Sequence, residues 1–230
     1  MNIFKRLLIS STIISFASPV IAEVNLTEKL KASSGKKFLE KEILIAENDF
    51  QGIEDNTLNK IKVEINNEKN EISVYNNGLG IEIIEHEEYK LMIPELIFGN
   101  LLTSTHYNDN EKKRISAGTH GLGAKLTNIF SKKFIVEVGD PKNKKKFTQV
   151  FKDNLNDKGI PKIKDYNKKT GYVKIVYEPD LERFDEKEIT KDNLDCILKR
   201  TLDIAALSPK RVNIEFNKEK LPIKTFEQYV

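Results

Sequence analysis

Polar and apolar positions alternate strictly at Ile61, Val63 and Ile65, and again at Ile72 and Val74. A period of two predicts strands over 60–65 and 71–75. The intervening Asn66-Asn67-Glu68-Lys69-Asn70 is turn chemistry, so the pair reads as a β-hairpin. Asn76-Asn77-Gly78-Leu79-Gly80 then predicts a sharp end to the second strand. Further strands are expected over 133–138, 146–152, 172–177 and 211–217, the last with Val212, Ile214 and Phe216 alternating. Helical spacing places Leu194, Ile197, Leu198, Leu202 and Ala205 on one face of a helix over 192–207, closed by Pro209. A short helix over 94–102 has Pro94 in its first turn. Phe38, Leu39, Ile43 and Ile45 predict another over 35–50. Residues 103–114 are polar, and 140–145 and 154–169 read as loops, the second long and charged. There is no internal repeat. Strands and helices mix without strict βαβ alternation. The expected class is therefore α+β: a two-layer sandwich with helices on one face of a mixed, mostly antiparallel sheet.

Composition narrows this picture. The chain has 230 residues, 39% hydrophobic and 32% charged, which suits a globular domain with a heavily charged surface. A net charge of +3 excludes a chain that is polybasic throughout. The lysine runs at 142–146 and at Lys132-Lys133 read as solvated loop rather than as DNA contacts. The single cysteine, Cys196, excludes an internal disulfide and a cysteine-rich zinc site; it is expected to pack as a small apolar residue. His86, His106 and His120 have no metal-ligand spacing.

The first 22 residues differ from the rest. Lys5 and Arg6 precede an apolar stretch, and Pro19-Val20-Ile21-Ala22 supplies small residues at its end. That layout predicts a secretory or organelle-directing leader over 1–22, followed by a linker over 23–34. The apolar part is too short and interrupted to read as a membrane span.

Three polar clusters carry candidate chemistry. Gly118, Gly121 and Gly123 crowd together just before Lys125 and an apolar helical run. Glycines let the backbone approach an anion, and a helix beginning there aims unpaired N–H groups and its positive dipole end at the same point. The pattern reads as a phosphate cradle, although neither common phosphate motif is met. In the predicted 35–50 helix, Glu42, Ala46 and Asp49 share one face. A glutamate there suits a general base acting on water; an exposed charged face explains the same residues. Asn76 offers donor and acceptor groups that match a purine edge, and Gly78 and Gly80 let a ligand lie against the chain; an ordinary turn also fits. Ser104, Thr105 and His106 supply polar groups for ribose and phosphate.

The order of these clusters resembles the nucleotide-binding fold shared by gyrase-type topoisomerases, the large heat-shock chaperone, histidine kinases and mismatch-repair ATPases. Longer segments are more specific. Ile93 to Asp109 (IPELIFGNLLTSTHYND) and Gly121 to Phe134 (GLGAKLTNIFSKKF) resemble eukaryotic and large-virus DNA topoisomerase II. So do Tyr177 to Phe184 (YEPDLERF) and Lys220 to Val230 (KLPIKTFEQYV). The resemblance covers about 35–230 and argues against a kinase or chaperone of the same fold.

It implies an N-terminal ATPase domain over 35–230 that binds ATP with Mg²⁺ and dimerises on binding it. Glu42 is then the water-activating base and Asn76 faces the adenine end, beside Gly78 and Gly80. Ser104, Thr105 and His106 contact ribose and phosphate. Gly118, Thr119, His120, Gly121, Leu122, Gly123, Ala124 and Lys125 wrap the phosphates. Four positions depart from the family. Its Mg²⁺-binding asparagine is Ala46 here, whose methyl group cannot ligate a cation that demands oxygen; Asp49, on the same face, is left to act through water. The asparagine expected after Asp49 is Phe50, and Thr119 and His120 replace an arginine and an asparagine of the phosphate loop. The family's DNA-cleaving domain has no counterpart here, so DNA is expected to be reached only through separate subunits or missing domains. A non-catalytic relic that keeps the fold is the alternative expectation. The leader implies export or an organelle, whereas the family implies contact with intracellular DNA.

Overall fold

The computed structural model describes residues 57–100 and 122–230. The predicted hairpin is β1 (Lys60–Asn66) and β2 (Glu71–Gly78), paired antiparallel with Ile65 opposite Ile72 and Val63 opposite Val74. Asn70 closes the turn in the left-handed region, which asparagine tolerates, and its Oδ1 accepts the Ile189 N–H at 3.0 Å. β2 runs three residues beyond the predicted 75, so Asn76, Asn77 and Gly78 belong to the sheet and not to a turn. Pairing on both sides explains this. Asn77 Oδ1 accepts the Lys60 N–H at 2.8 Å, and Asn76, Asn77 and Gly78 stand opposite Val173, Tyr172 and Gly171. Two flanking partners outweigh the poor strand propensity of asparagine.

β3 (Ser131–Asp140), β4 (Lys145–Lys152) and β7 (Gly171–Pro179) complete the centre of the sheet, and β8 (Asn213–Phe216) joins β1 in parallel. The strand order is β5-β4-β3-β7-β2-β1-β8-β9, where β5 is Asp157–Lys158 and β9 (Glu219–Lys220) pairs with β8. Residues 154–169, expected to be loop throughout, contain β5 (Asp157–Lys158) and β6 (Lys162–Asp165), both paired with β4. Their residues are exposed, so no burial alternation announced them. They form because β4 would otherwise present a free edge of N–H and C=O groups.

All pairings among the described residues are antiparallel except β1–β8, as the predicted class requires. One face of the sheet is built in rows across five strands, apolar but for Gln149: Val63, Val74, Ile175, Val136 and Gln149 in one, and Ile65, Ile72, Tyr177, Phe134 and Phe151 in the next. Against this face lie α1 (Ile93–Gly99) and α2 (Leu122–Ile129), whose Phe98 and Ala124 pack into the same core. α1 stops at Gly99, short of the predicted 102. A Cβ at Gly99 would lie 2.9 Å from the Phe151 ring.

α3 (Lys191–Leu207) starts at Thr190, whose hydroxyl accepts the Asn193 N–H. Its buried face is Asn193, Ile197, Thr201, Ile204, Ala205 and Ala206. Leu194, Leu198 and Leu202 are half-buried on its margin, so the face is rotated from the predicted leucine stripe. Thr201 can take a central place because its hydroxyl donates to the Ile197 carbonyl at 2.8 Å. Cys196 is half-buried on this helix. A short helix, α4 (Phe226–Tyr229), follows β9 and packs near α3 through Tyr229, which donates to Asp203.

Candidate functional site

Asn76 projects to the helix-bearing face of the sheet, in register with Ile61, Val173, Val138 and Phe147. It is the one polar side chain in that row. Asn76 is 6% exposed, its Oδ1 has no hydrogen-bond partner, and its Nδ2 reaches only the Asn77 carbonyl at 3.4 Å. A buried acceptor left unpaired costs about 1–3 kcal/mol. Nothing in the hairpin itself needs an amide here. The position is therefore poised to accept a hydrogen bond from a group brought in from outside.

Beyond Asn76 the backbone runs close to its neighbours. Gly78 has φ 142° and Gly80 φ 79°, conformations that disfavour side chains. A Cβ at Gly80 would meet the Gly139 carbonyl at 2.7 Å, and one at Gly171 would meet the Leu79 carbonyl at 2.4 Å. These glycines let the chain leave β2 across the ends of β7 and β3. The following segment is held by Asp140, at the end of β3. Its carboxylate accepts the Ile83 N–H at 2.7 Å, the Lys142 and Asn143 N–H groups, and the Asn143 side chain at 2.6 Å. Burial pushes this carboxyl upward, but the hydrogen bonds from Asn143, Ile83 and Lys142 outweigh it and hold the group below its ordinary value.

The second element of the site is the start of α2. Lys125 lies in its first turn and is only 2% exposed. Burial lowers the pKa of its ammonium group. A cation at the positive end of a helix dipole is disfavoured, and burial adds to the cost; a bound anion would offset both. Polar ties fix the helix. Thr127 donates back to the Gly123 carbonyl at 3.0 Å, Ser131 donates to the Thr127 carbonyl at 2.6 Å, and Asn128 Nδ2 donates to the Phe98 carbonyl at 3.0 Å. The Asn128 contact binds α2 to the end of α1.

Asn76 and α2 therefore belong to the same side of the sheet. Of the residues expected to form the site, Asn76, Gly78, Gly80, Gly123, Ala124 and Lys125 are described, and Leu122 opens α2. Glu42, Ala46, Asp49, Phe50, Ser104, Thr105, His106, Gly118, Thr119, His120 and Gly121 lie outside the described residues, as does the predicted 35–50 helix. Among the described residues, no group of three or more His, Cys, Asp or Glu side chains is arranged to hold a metal ion. The supports Asp140, Gly171 and Asn128 escaped the sequence reading, since the contact by which each supports the site (to Ile83, Leu79 and Phe98) joins residues distant in the chain.

No family model matches the chain. Individual relatives do. It is 49% identical over 189 residues to a protein described as probable DNA topoisomerase 2 from Dictyostelium discoideum, a match spanning 82% of this chain. It is 43% identical over 176 residues, 76% of this chain, to DNA topoisomerase 2 of Arabidopsis thaliana. The match spans only 12% of either relative. In three dimensions it superposes on the ATPase region of Saccharomyces cerevisiae topoisomerase II with a TM-score of 0.73 at 38% identity, over 84% of this chain and 50% of that one. The chain belongs with the ATPase region of type IIA DNA topoisomerases. The ATPase and transducer domains of Balamuthia mandrillaris topoisomerase II give the same TM-score at 35% identity, over 82% of this chain and 48% of that one. The 43K ATPase domain of Thermus thermophilus gyrase B, at 20% identity and a TM-score of 0.53 over 80% of this chain and 44% of that one, shares the fold alone. The topoisomerase II resemblance drawn from the segments around Ile93, Gly121, Tyr177 and Lys220 thus holds at the level of both sequence and fold.

Proposed function

We propose that this chain binds ATP between the Asn76 end of β2 and the first turn of α2, as the nucleotide-binding module of a type IIA topoisomerase. The observation that carries the reading is Asn76: a buried amide whose Oδ1 lacks a partner, set in an otherwise apolar row. An adenine amino group supplies the missing donor, and the apolar neighbours suit a purine ring. Lys125 and the N-terminus of α2 suit the phosphates. Gly118 to Gly121, with Ser104, Thr105 and His106, complete the cradle in this reading, and Glu42 orients water for hydrolysis. Coupling to duplex passage and closure into a dimer belong to the whole enzyme, of which the match covers a small part.

Magnesium does not fit as well. The sequence has Ala46 where the topoisomerase II resemblance expects an oxygen ligand, so no step is routed through the metal. Ala46 and Phe50 favour a second reading, a module that binds nucleotide without turning it over. Isothermal titration of the full chain with a non-hydrolysable ATP analogue tests the first claim; absence of binding at millimolar ligand refutes it. Turnover separates the two readings. Phosphate release well above that of Glu42→Gln identifies a hydrolase, whereas equal rates identify the relic. Ala46→Asn then tests whether the missing ligand alone is responsible.

A further inference from the structure

The lysines at 142–146, read from sequence as an ordinary solvated turn, do not stand alone. β6 pairs with β4 so that Lys164 faces Lys146 and Lys162 faces Thr148, and the Tyr166 N–H donates to the Lys144 carbonyl at 2.9 Å. This pairing brings two lysine runs, separated in sequence, to one edge of the sheet. Residues 140–170 contain ten lysines against four aspartates and no glutamate, an excess of six charges where the whole chain has +3. The remainder of the molecule is therefore net acidic, and the positive charge is concentrated at one edge.

Part of that charge is neutralised internally: Lys142 pairs with Glu82 and Lys146 with Glu137. Lys144, Lys162, Lys164, Lys168 and Lys169 are exposed, and none forms an ion pair among the described residues. Like charges facing one another across strands are destabilising. Their concentration on a hydrogen-bonded strand and its adjoining turns makes a surface complementary to an extended polyanion. Lys162 and Lys164 are two residues apart on a strand, about 7 Å, comparable to the spacing of successive phosphates along one nucleic-acid strand.

We infer that the β4–β6 edge, with the turn at 142–146 and the loop at 168–169, is a contact surface for the phosphate backbone of duplex DNA. Lysine point charges suit sequence-independent phosphate contacts, and no arginine fork is present in 140–170 to read bases. A membrane surface also attracts lysines, but stable insertion needs an apolar face. Of the large apolar residues in this region only Ile160 and Ile163 are exposed. The inference rests on charge and strand register, and it is independent of the nucleotide site.

The test is fluorescence anisotropy of the full chain with a labelled 30-base-pair duplex of arbitrary sequence, without nucleotide, across a salt series. Two charge-matched variants are compared: Lys144, Lys162, Lys164 and Lys168 all changed to Gln, and Lys187, Lys191, Lys210 and Lys218 all changed to Gln. The edge variant should flatten the plot of log affinity against log salt by about 0.9 for each lysine that meets a phosphate, and weaken binding at least tenfold at low salt. The control variant should change neither by more than a small fraction of that. Equal losses in both variants, or no duplex binding by the wild-type chain at 50 mM salt, overturn the inference. So does binding to phosphatidylserine vesicles that the duplex cannot displace. Lys164→Gln alone provides the same direction of change should the fourfold variant fail to fold. Duplex binding by Lys125→Met should match wild type, which keeps a failure here distinct from a failure of the ATP reading.

Discussion

Three residues carry most of the argument, each through the polar or charged group it buries. Asn76 places an unpaired acceptor in an apolar row, and Lys125 buries a cation in the first turn of a helix. Lys125→Met should lose at least tenfold in nucleotide affinity while the fold is retained, since methionine fills similar space; calorimetry and thermal melts read the two effects separately. A fall of several degrees would mark the lysine as structural instead. Asp140 is the contrasting case, a buried carboxylate whose acceptors are filled from within the chain. Its folded pKa lies below the unfolded value of about 3.9. The stability it contributes is present above that unfolded value and is lost as pH falls through the folded one. Asp140→Asn should therefore lower the melting temperature at pH 7 by roughly 3–10 °C, for the loss of about 1–3 kcal/mol of charge-assisted bonds. The deficit should shrink below about pH 4, as thermal melts in a pH series will show. Sequence alone proposed Asn76 and Lys125, because their residue types and glycine neighbours are local signals. Asp140 was silent, because its tie to the segment after β2, through the Ile83 N–H, spans 57 residues.

At the level of elements, local pattern was informative where a strand buries one face and misleading where pairing decides. The alternation of Ile61, Val63, Ile72 and Val74 located β1 and β2, but not the last three residues of β2, which are held by β7 and by the Asn77 side chain. β5 and β6 had no alternation to read, because both are exposed edge cover. α3 was found by its period, yet its buried face is centred on Thr201, a polar residue that satisfies its own hydroxyl. The close passage of the chain after β2 predicts sensitivity at one position. Gly171→Ala should destabilise by several degrees in a thermal melt, since its Cβ would lie 2.4 Å from the Leu79 carbonyl. Thr201→Val, which keeps the shape and removes a locally satisfied hydroxyl, should stay within about 1 kcal/mol of wild type in urea unfolding.

Viewed whole, the molecule is a mixed sheet with helices on one face, a nucleotide-binding candidate on that face, and a lysine-rich edge at β4–β6. The fold class was legible in advance because the strands alternate and the longest helix, α3, carries a helical apolar period. The lysine edge was not, since only strand pairing reveals that the 142–146 and 162–169 runs are neighbours. The central claim is that the Asn76 amide accepts a hydrogen bond from the adenine of a nucleotide whose phosphates reach Lys125. Calorimetric titration of the full chain with ATP and with inosine triphosphate, which lacks the purine amino group, tests it most directly. The wild-type chain should prefer ATP by roughly tenfold, about 1.4 kcal/mol, and Asn76→Ala should bind both equally and more weakly. Equal affinity of the wild-type chain for the two nucleotides, or a preference that survives in Asn76→Ala, would contradict the account.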